Sequence, residues 1–250
     1  GDGMEVASVD GHAALTWRST TGLLIRSISE SENRPLGGCT AISPDLRLVA
    51  STPANAAAFV WDVRDTSGFK QFEVDWSEYS NPPPISDMAF ASDSKRLACV
   101  CWEKTVVWDI ASGQPVFTRK GQPAYCLAWS PNGKWLAAGS AILDPYSGQE
   151  LHSLPDLTGS REFSRDNNWL VAVGRGTILA WSTSDWKKRV AIPEDTTETT
   201  CLTISTPEHI LAVGRKGEAV DLWKLPEGHR FFPLQGHGKP VSALAFSPDG

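Results

Sequence analysis

Cysteine and histidine are the residues of this chain best suited to hold a metal or to act as nucleophile and base. There are five of each: Cys39, Cys99, Cys101, Cys126 and Cys201, and His12, His152, His209, His229 and His237. A zinc site needs its ligands to converge within bonding distance, about 2.3 Å for a thiolate, which equivalent positions of separate repeats would not do. Cys99 and Cys101 are two residues apart, so a strand places them on one face as core. Cys39, Cys126 and Cys201 occupy one column of an internal repeat, three residues before a large apolar anchor. Other copies carry Asp87, Ser160 and Ala243 there, which reads as a small-residue packing position. The histidines are scattered, and neither H-E-x-x-H nor G-x-S-x-G occurs. The segments "GRGT" (174–177) and "GRKGE" (214–218) lack the G-K-[ST] ending and the following helix of a phosphate loop. They read as hairpin turns. No catalytic residue, metal ligand, cofactor or disulfide is expected.

The elements that would position any site follow from the repeats. "TAISPDL", "MAFASDS", "LAWSPNG", "REFSRDN", "LTISTPE" and "LAFSPDG" recur with their large residue at Ile42, Phe90, Trp129, Phe163, Ile204 and Phe246. A second series lies between them, with key positions at Trp17, Trp61, Trp108, Leu143, Trp181 and Trp223. Each unit has four short β-branched or aromatic runs. Gly, Pro, Asp, Asn and Ser punctuate them, as in hairpin-linked strands. In the third unit the runs are 85–90, 96–102, 105–110 and 115–119, with Glu103 and Lys104 as the second turn. No long segment has a 3.6-residue apolar period, so the class is all-β.

These residues resemble the WD-repeat family. The likeness is carried by Ser-Pro-Asp at 43–45 and 247–249, Ser-Pro-Asn-Gly at 130–133, Trp-Asp at 61–62 and 108–109, and Gly-His at 236–237. The resemblance implies a β-propeller of four-stranded antiparallel blades, forming one domain over 1–250. Radial stacking buries both faces of each sheet, which a unit of about 40 residues cannot do alone. The strand count is three, then five sets of four, then one. This gives six blades, with Val241–Phe246 beside Glu5–Val9 in a blade shared by the two ends. The alternatives are a piece of a seven-bladed propeller, or terminal strands that associate with another molecule. The family also fixes blades with a polar set, and this implies His237 beside Ser8 and Trp17, with Asp10 as a fourth member.

The resemblance implies a non-catalytic protein-interaction scaffold or sensor domain. The alternative is a propeller enzyme or small-ligand binder, for which strand residues such as Asp87, Arg161 and Glu162 could face a channel. Arg161 and Glu162 are adjacent, so they point to opposite faces.

With 23 basic and 29 acidic residues, nucleic acid is not an expected partner. No apolar run is long enough for a membrane helix, and the first residues lack signal-peptide order. Five cysteines without a disulfide framework fit a reducing, intracellular and cytoplasmic setting. The loops joining one repeat to the next hold eight acidic and four basic residues, which suits a protein or peptide partner of basic character. "WSEYSNPPP" (76–84) departs furthest from the repeat. Trp76, Glu78, Tyr79, Glu194, Asp195 and Glu198 are therefore the candidate partner contacts.

Overall fold

The structure is a computed structural model. It describes residues 5–9, 13–18, 23–29, 39–52, 57–65, 68–80, 83–155, 157–193, 197–206, 208–217 and 219–247. These residues are all-β, in six antiparallel sheets with strands in chain order. The chain divides into two compact units.

The first unit, Gly1–Leu127 with Pro145–Gln149, carries three sheets. One is three-stranded: β1 (Glu5–Val9), β2 (Ala13–Arg18) and β3 (Leu23–Ser29). The next has β4 (Thr40–Ile42), β5 (Leu48–Ser51), β6 (Ala57–Asp62) and β7 (Lys70–Glu73). The third has β8 (Asp87–Phe90), β9 (Arg96–Cys101), β10 (Lys104–Asp109) and β11 (Pro115–Lys120). Every residue of β9 is buried. That is why "LACVC" (97–101) runs apolar without alternation, as in a strand covered on both faces.

The second unit, Ala128–Asp144 with Glu150–Gly250, carries the other three. They are β12–β15 (Leu127–Trp129, Leu136–Ala138, Ala141–Leu143, Glu150–Ser153), β16–β19 (Leu157–Phe163, Trp169–Gly174, Thr177–Ser182, Lys187–Pro193) and β20–β23 (Thr199–Ile204, Ile210–Arg215, Val220–Lys224, His229–Arg230).

The Ser-Pro-Asp repeat owes its composition to turn chemistry. In the β4–β5 turn, Ser43 Oγ donates to Asp45 Oδ1 at 2.6 Å and accepts from the Leu48 N–H at 2.8 Å. The Arg47 N–H donates to the same carboxylate at 3.1 Å. Ser130 and Asn132 repeat this between β12 and β13, and Ser164 and Asp166 between β16 and β17. Each hydroxyl and each Asp or Asn side-chain oxygen thus satisfies backbone donors that a tight turn leaves exposed.

The last residue of these turns is left-handed: φ is 58° at Leu46 and Ser94, 62° at Asn167 and 51° at His209. From that position the side chain reaches the preceding sheet's turn. Ser94 Oγ accepts from the Asp45 N–H at 3.2 Å, and Asn167 Oδ1 from the Asn132 N–H at 2.9 Å. His209 Nε2 lies 2.7 Å from Asp166 Oδ2.

Asp166 is therefore bonded within its own turn and to the next. Burial pushes its carboxyl up, but hydrogen bonds from Ser164, His209 and Asn168 outweigh this and hold it at about 2. A depressed folded pKa gives stability that is present above the unfolded value and lost as pH falls through the folded one. Asp166→Asn is expected to cost about 1 kcal/mol at neutral pH. It should also flatten the loss of stability between about pH 4 and pH 2. Urea melts at stepped pH values test both expectations.

A second regularity was not legible in the sequence. Register shifts between the last two strands of a sheet fall at Thr16/Trp17, Val107/Trp108, Ile142/Leu143 and Ala180/Trp181. Each marks a β-bulge beside the key residue of the second repeat series. Trp108 and Trp181 are buried there, and Leu143 fills the corresponding place in the fourth sheet.

One strand expectation is corrected. Val241–Phe246 is not a strand, and the β1–β3 sheet has three members. The segment is held by one face of its own unit instead. The Val241 N–H donates to Arg215 O at 3.1 Å, and the Thr200 hydroxyl donates to Val241 O. Val241 is buried with Ala212 and Val220, and Leu244 and Phe246 pack against that cluster. Gly214 permits this approach, because a Cβ there would lie 2.9 Å from Val241 Cγ1.

His237 accordingly precedes no strand and is exposed, not buried in a polar set. Ser8 lies on β1 and Trp17 on β2, while Asp10 falls outside the described residues.

Candidate interaction surface

At one end of the β8–β11 sheet three connections meet: the loop before β8, the β9–β10 turn and the segment after β11. The Gly121 N–H donates to Glu103 O, and the Ala124 N–H to Trp102 O, both at 2.8 Å. Lys104 Nζ reaches back to Asp75 O.

The β9–β10 turn is Trp102-Glu103, since Lys104 pairs with Cys101. This corrects the expected turn of Glu103 and Lys104 by one residue. The shift changes the fate of Trp102. It leaves the strand, takes φ 53° and is 44% exposed. Tyr125, 50% exposed, meets it edge-on, with ring centroids 5.9 Å apart and planes at 76°. Sequence reasoning passed over both residues and counted Trp102 with the strands. The missed signal was register. Leu97, Cys99 and Cys101 alternate as one face, and a two-residue turn after Cys101 must carry Trp102 to solvent.

The expected contacts fare differently. Trp76 is buried and packs edge-on against Tyr79 at 5.2 Å, with Lys104 Nζ 4.6 Å from its ring centroid. Its indole fills the core of the first unit. Tyr79 is half-buried and donates its hydroxyl to Glu103. Glu78 is exposed and ion-paired with Lys120, which holds its carboxyl below the usual range. Glu198 is half-buried, and its carbonyl accepts from the Lys216 N–H at 2.9 Å. Glu194 and Asp195 lie outside the described residues. Charge near the β9–β10 turn is therefore largely matched locally, and exposed aromatic area is what distinguishes this surface.

Several groups that could do chemistry are engaged in structure. Ser164, Asp166 and His209 superficially suggest a nucleophile triad. The carboxylate stands in the middle, however, and the serine donates to it, not to the histidine. A base positioned to take the serine proton is what such catalysis requires. A cavity of about 680 Å³ lies at the opposite end of the β4–β7 and β8–β11 sheets and is lined by Asp45, Asp62, Asp93 and Asp109 among others. Asp45 and Asp109 staple turns, Asp62 pairs with Arg47 at 2.8 Å, and Asp93 pairs with Arg96 at 3.0 Å. Asp87 accepts from the Leu127 N–H at 2.8 Å, and Arg161 donates to Gly139 O and Gly159 O. No group of three or more metal-ligating side chains occurs among the described residues.

Comparison with known proteins agrees with the sheets. The family model described as "WD domain, G-beta repeat" matches residues 113–141 and 228–250. Protein groucho of Drosophila melanogaster is 24% identical over 187 residues, which cover 70% of this chain. The chain spans 24% of the length of that relative. The phased turn and tryptophan motifs, the four-stranded antiparallel sheets and these matches agree in a likeness to WD-repeat proteins, and the sheets are consistent with blades of the β-propeller type.

Proposed function

We propose that this chain is a non-catalytic protein-interaction domain in an intracellular, cytoplasmic setting. Its contact surface is centred on Trp102 and Tyr125 and flanked by Glu78, Tyr79 and Lys120. The observation that carries this reading is the exposed aromatic pair at a loop end of the β8–β11 sheet. Trp and Tyr add large, rigid area at low entropic cost and dominate interface energetics. The WD-repeat likeness, including that to groucho, points to the same class of function. The reducing setting is supported by five cysteines whose spacing shows no disulfide framework.

The test is affinity capture from an extract with the wild-type chain, with a Trp102→Ala/Tyr125→Ser double variant and with Leu151→Ser, an exposed change on β15. Proteins held by the wild type and by Leu151→Ser should be lost from the double variant. Equal capture by all three would sink the assignment of this surface.

A further inference from the structure

Glu162 on β16 is a half-buried acid of the second unit that neither a turn nor an ion pair absorbs. It lines a cavity of about 230 Å³ with Arg165, Thr203, Ile204, Leu244 and Phe246. The Thr203 hydroxyl donates to its Oε1 at 3.1 Å, and the Ile204 N–H also bonds the carboxyl. Among the described residues no cation lies within ion-pairing distance of it. A buried carboxylate without a counter-ion is costly. Hydrogen bonds from β20 fix its orientation. Leu244, Ala245 and Phe246 offer the cavity an apolar wall. An apolar wall with a carboxylate beyond it matches an aliphatic stem that ends in a cation.

We propose that this cavity seats the cationic side chain of a lysine or arginine in a partner peptide, with Glu162 as its counter-ion. The site is separate from the Trp102 surface and goes beyond the function read there. Burial pushes the Glu162 carboxyl up to about 7, against the pull of Thr203, Ile204 and Arg165. Near neutral pH the empty site is therefore half-protonated, and an arriving cation expels the proton. Arg165 is the other charged group lining the cavity. Arg161 leaves β16 from the opposite face, and neither β20 nor 244–247 brings a titratable side chain to the cavity. Arg165 opposes the incoming charge, so the two residues must act with opposite sign.

The experiment uses the full chain and four blocked pentapeptides, Gly-Gly-X-Gly-Gly. X is lysine, arginine, norleucine or acetyl-lysine. Binding is read from the Thr203 and Ile204 amide shifts, and the Glu162 carboxyl is followed by carbon NMR. The lysine peptide, the arginine peptide or both should bind about tenfold tighter at pH 8 than at pH 6, since the ionised fraction changes by that factor. Bound peptide should move the Glu162 titration below pH 7. Glu162→Gln should abolish the shifts and Arg165→Ala should strengthen binding, a pairing that general damage to the fold cannot produce. Trp102→Gly should leave all of this unchanged, so failure here and failure at the aromatic surface are read separately. The proposal is overturned if norleucine binds as well as lysine and arginine, if Glu162→Gln retains binding, or if no peptide shifts the two amides.

Discussion

Replacing Asp221 with alanine is expected to lower the free energy of unfolding by about 3 kcal/mol, because it removes a buried charge from beside its partners. Asp221 sits on β22 with 2% of its side chain exposed. Its two oxygens are shared: Arg215 Nε donates to one, and Arg230 Nη2 donates to the other at 2.6 Å. Arg215 is 16% exposed and Arg230 is 51% exposed. Arg230 can rehydrate when its partner is lost, while Arg215 largely cannot. Arg230→Ala should therefore cost only about 1 kcal/mol, including its packing on Trp223, whose ring centroid is 5.5 Å away. Burial raises the Asp221 pKa, yet the bonds from Arg230 and Arg215 outweigh it and leave the carboxyl below its usual range. The stabilisation is thus present at neutral pH and lost on acidification below the unfolded value of about 3.9. Urea titrations of the two variants test the ranking. Equal costs for Asp221→Ala and Arg230→Ala would refute the buried-charge account.

Replacing Trp102 with glycine should separate folding from binding. A bulky residue at φ 53° pays about 1–2 kcal/mol that glycine does not. Against this stand the extra unfolded-state entropy of glycine, about 0.5–1 kcal/mol, and the lost edge-on contact with Tyr125, about 0.5–1.5 kcal/mol. These terms nearly cancel, so the melting midpoint should hardly move. Partner affinity should fall about 30-fold or more, the loss expected for an aromatic hot spot worth at least about 2 kcal/mol. A variant that binds normally, or that binds weakly only because it is unfolded, would refute this separation.

The strands and turns were legible because Gly, Pro, Asp and Asn punctuate apolar runs, and because Ser and Asp recur wherever a turn needs its donors satisfied. Trp102 was misplaced for the converse reason. Its turn carries none of those residues, and the apolar run flows through it without a break. Trp76 was read as a loop contact from its neighbours in sequence, whereas a lysine from the β9–β10 hairpin covers its ring and makes it core. The bulges beside Trp108 and Trp181 leave no local mark, because they arise from pairing between strands. The segment 241–246 looks like a strand in composition. Its packing decides otherwise, and packing with distant residues is what a linear pattern records least.

The left-handed residue closing each turn also has a consequence for rearranging the repeats. Serine and aspartate hold a turn from within, so a blade moved elsewhere in the chain would carry its own turn intact. The closing residue is different: it is serine at 94, asparagine at 167 and histidine at 209, each fitted to what the preceding turn offers. A transplanted blade would arrive with the wrong key for its new neighbour. Shuffled chains should therefore form every hairpin and still lose cohesion at the seams that Ser94, Asn167 and His209 bridge, which makes these three residues address labels for their modules.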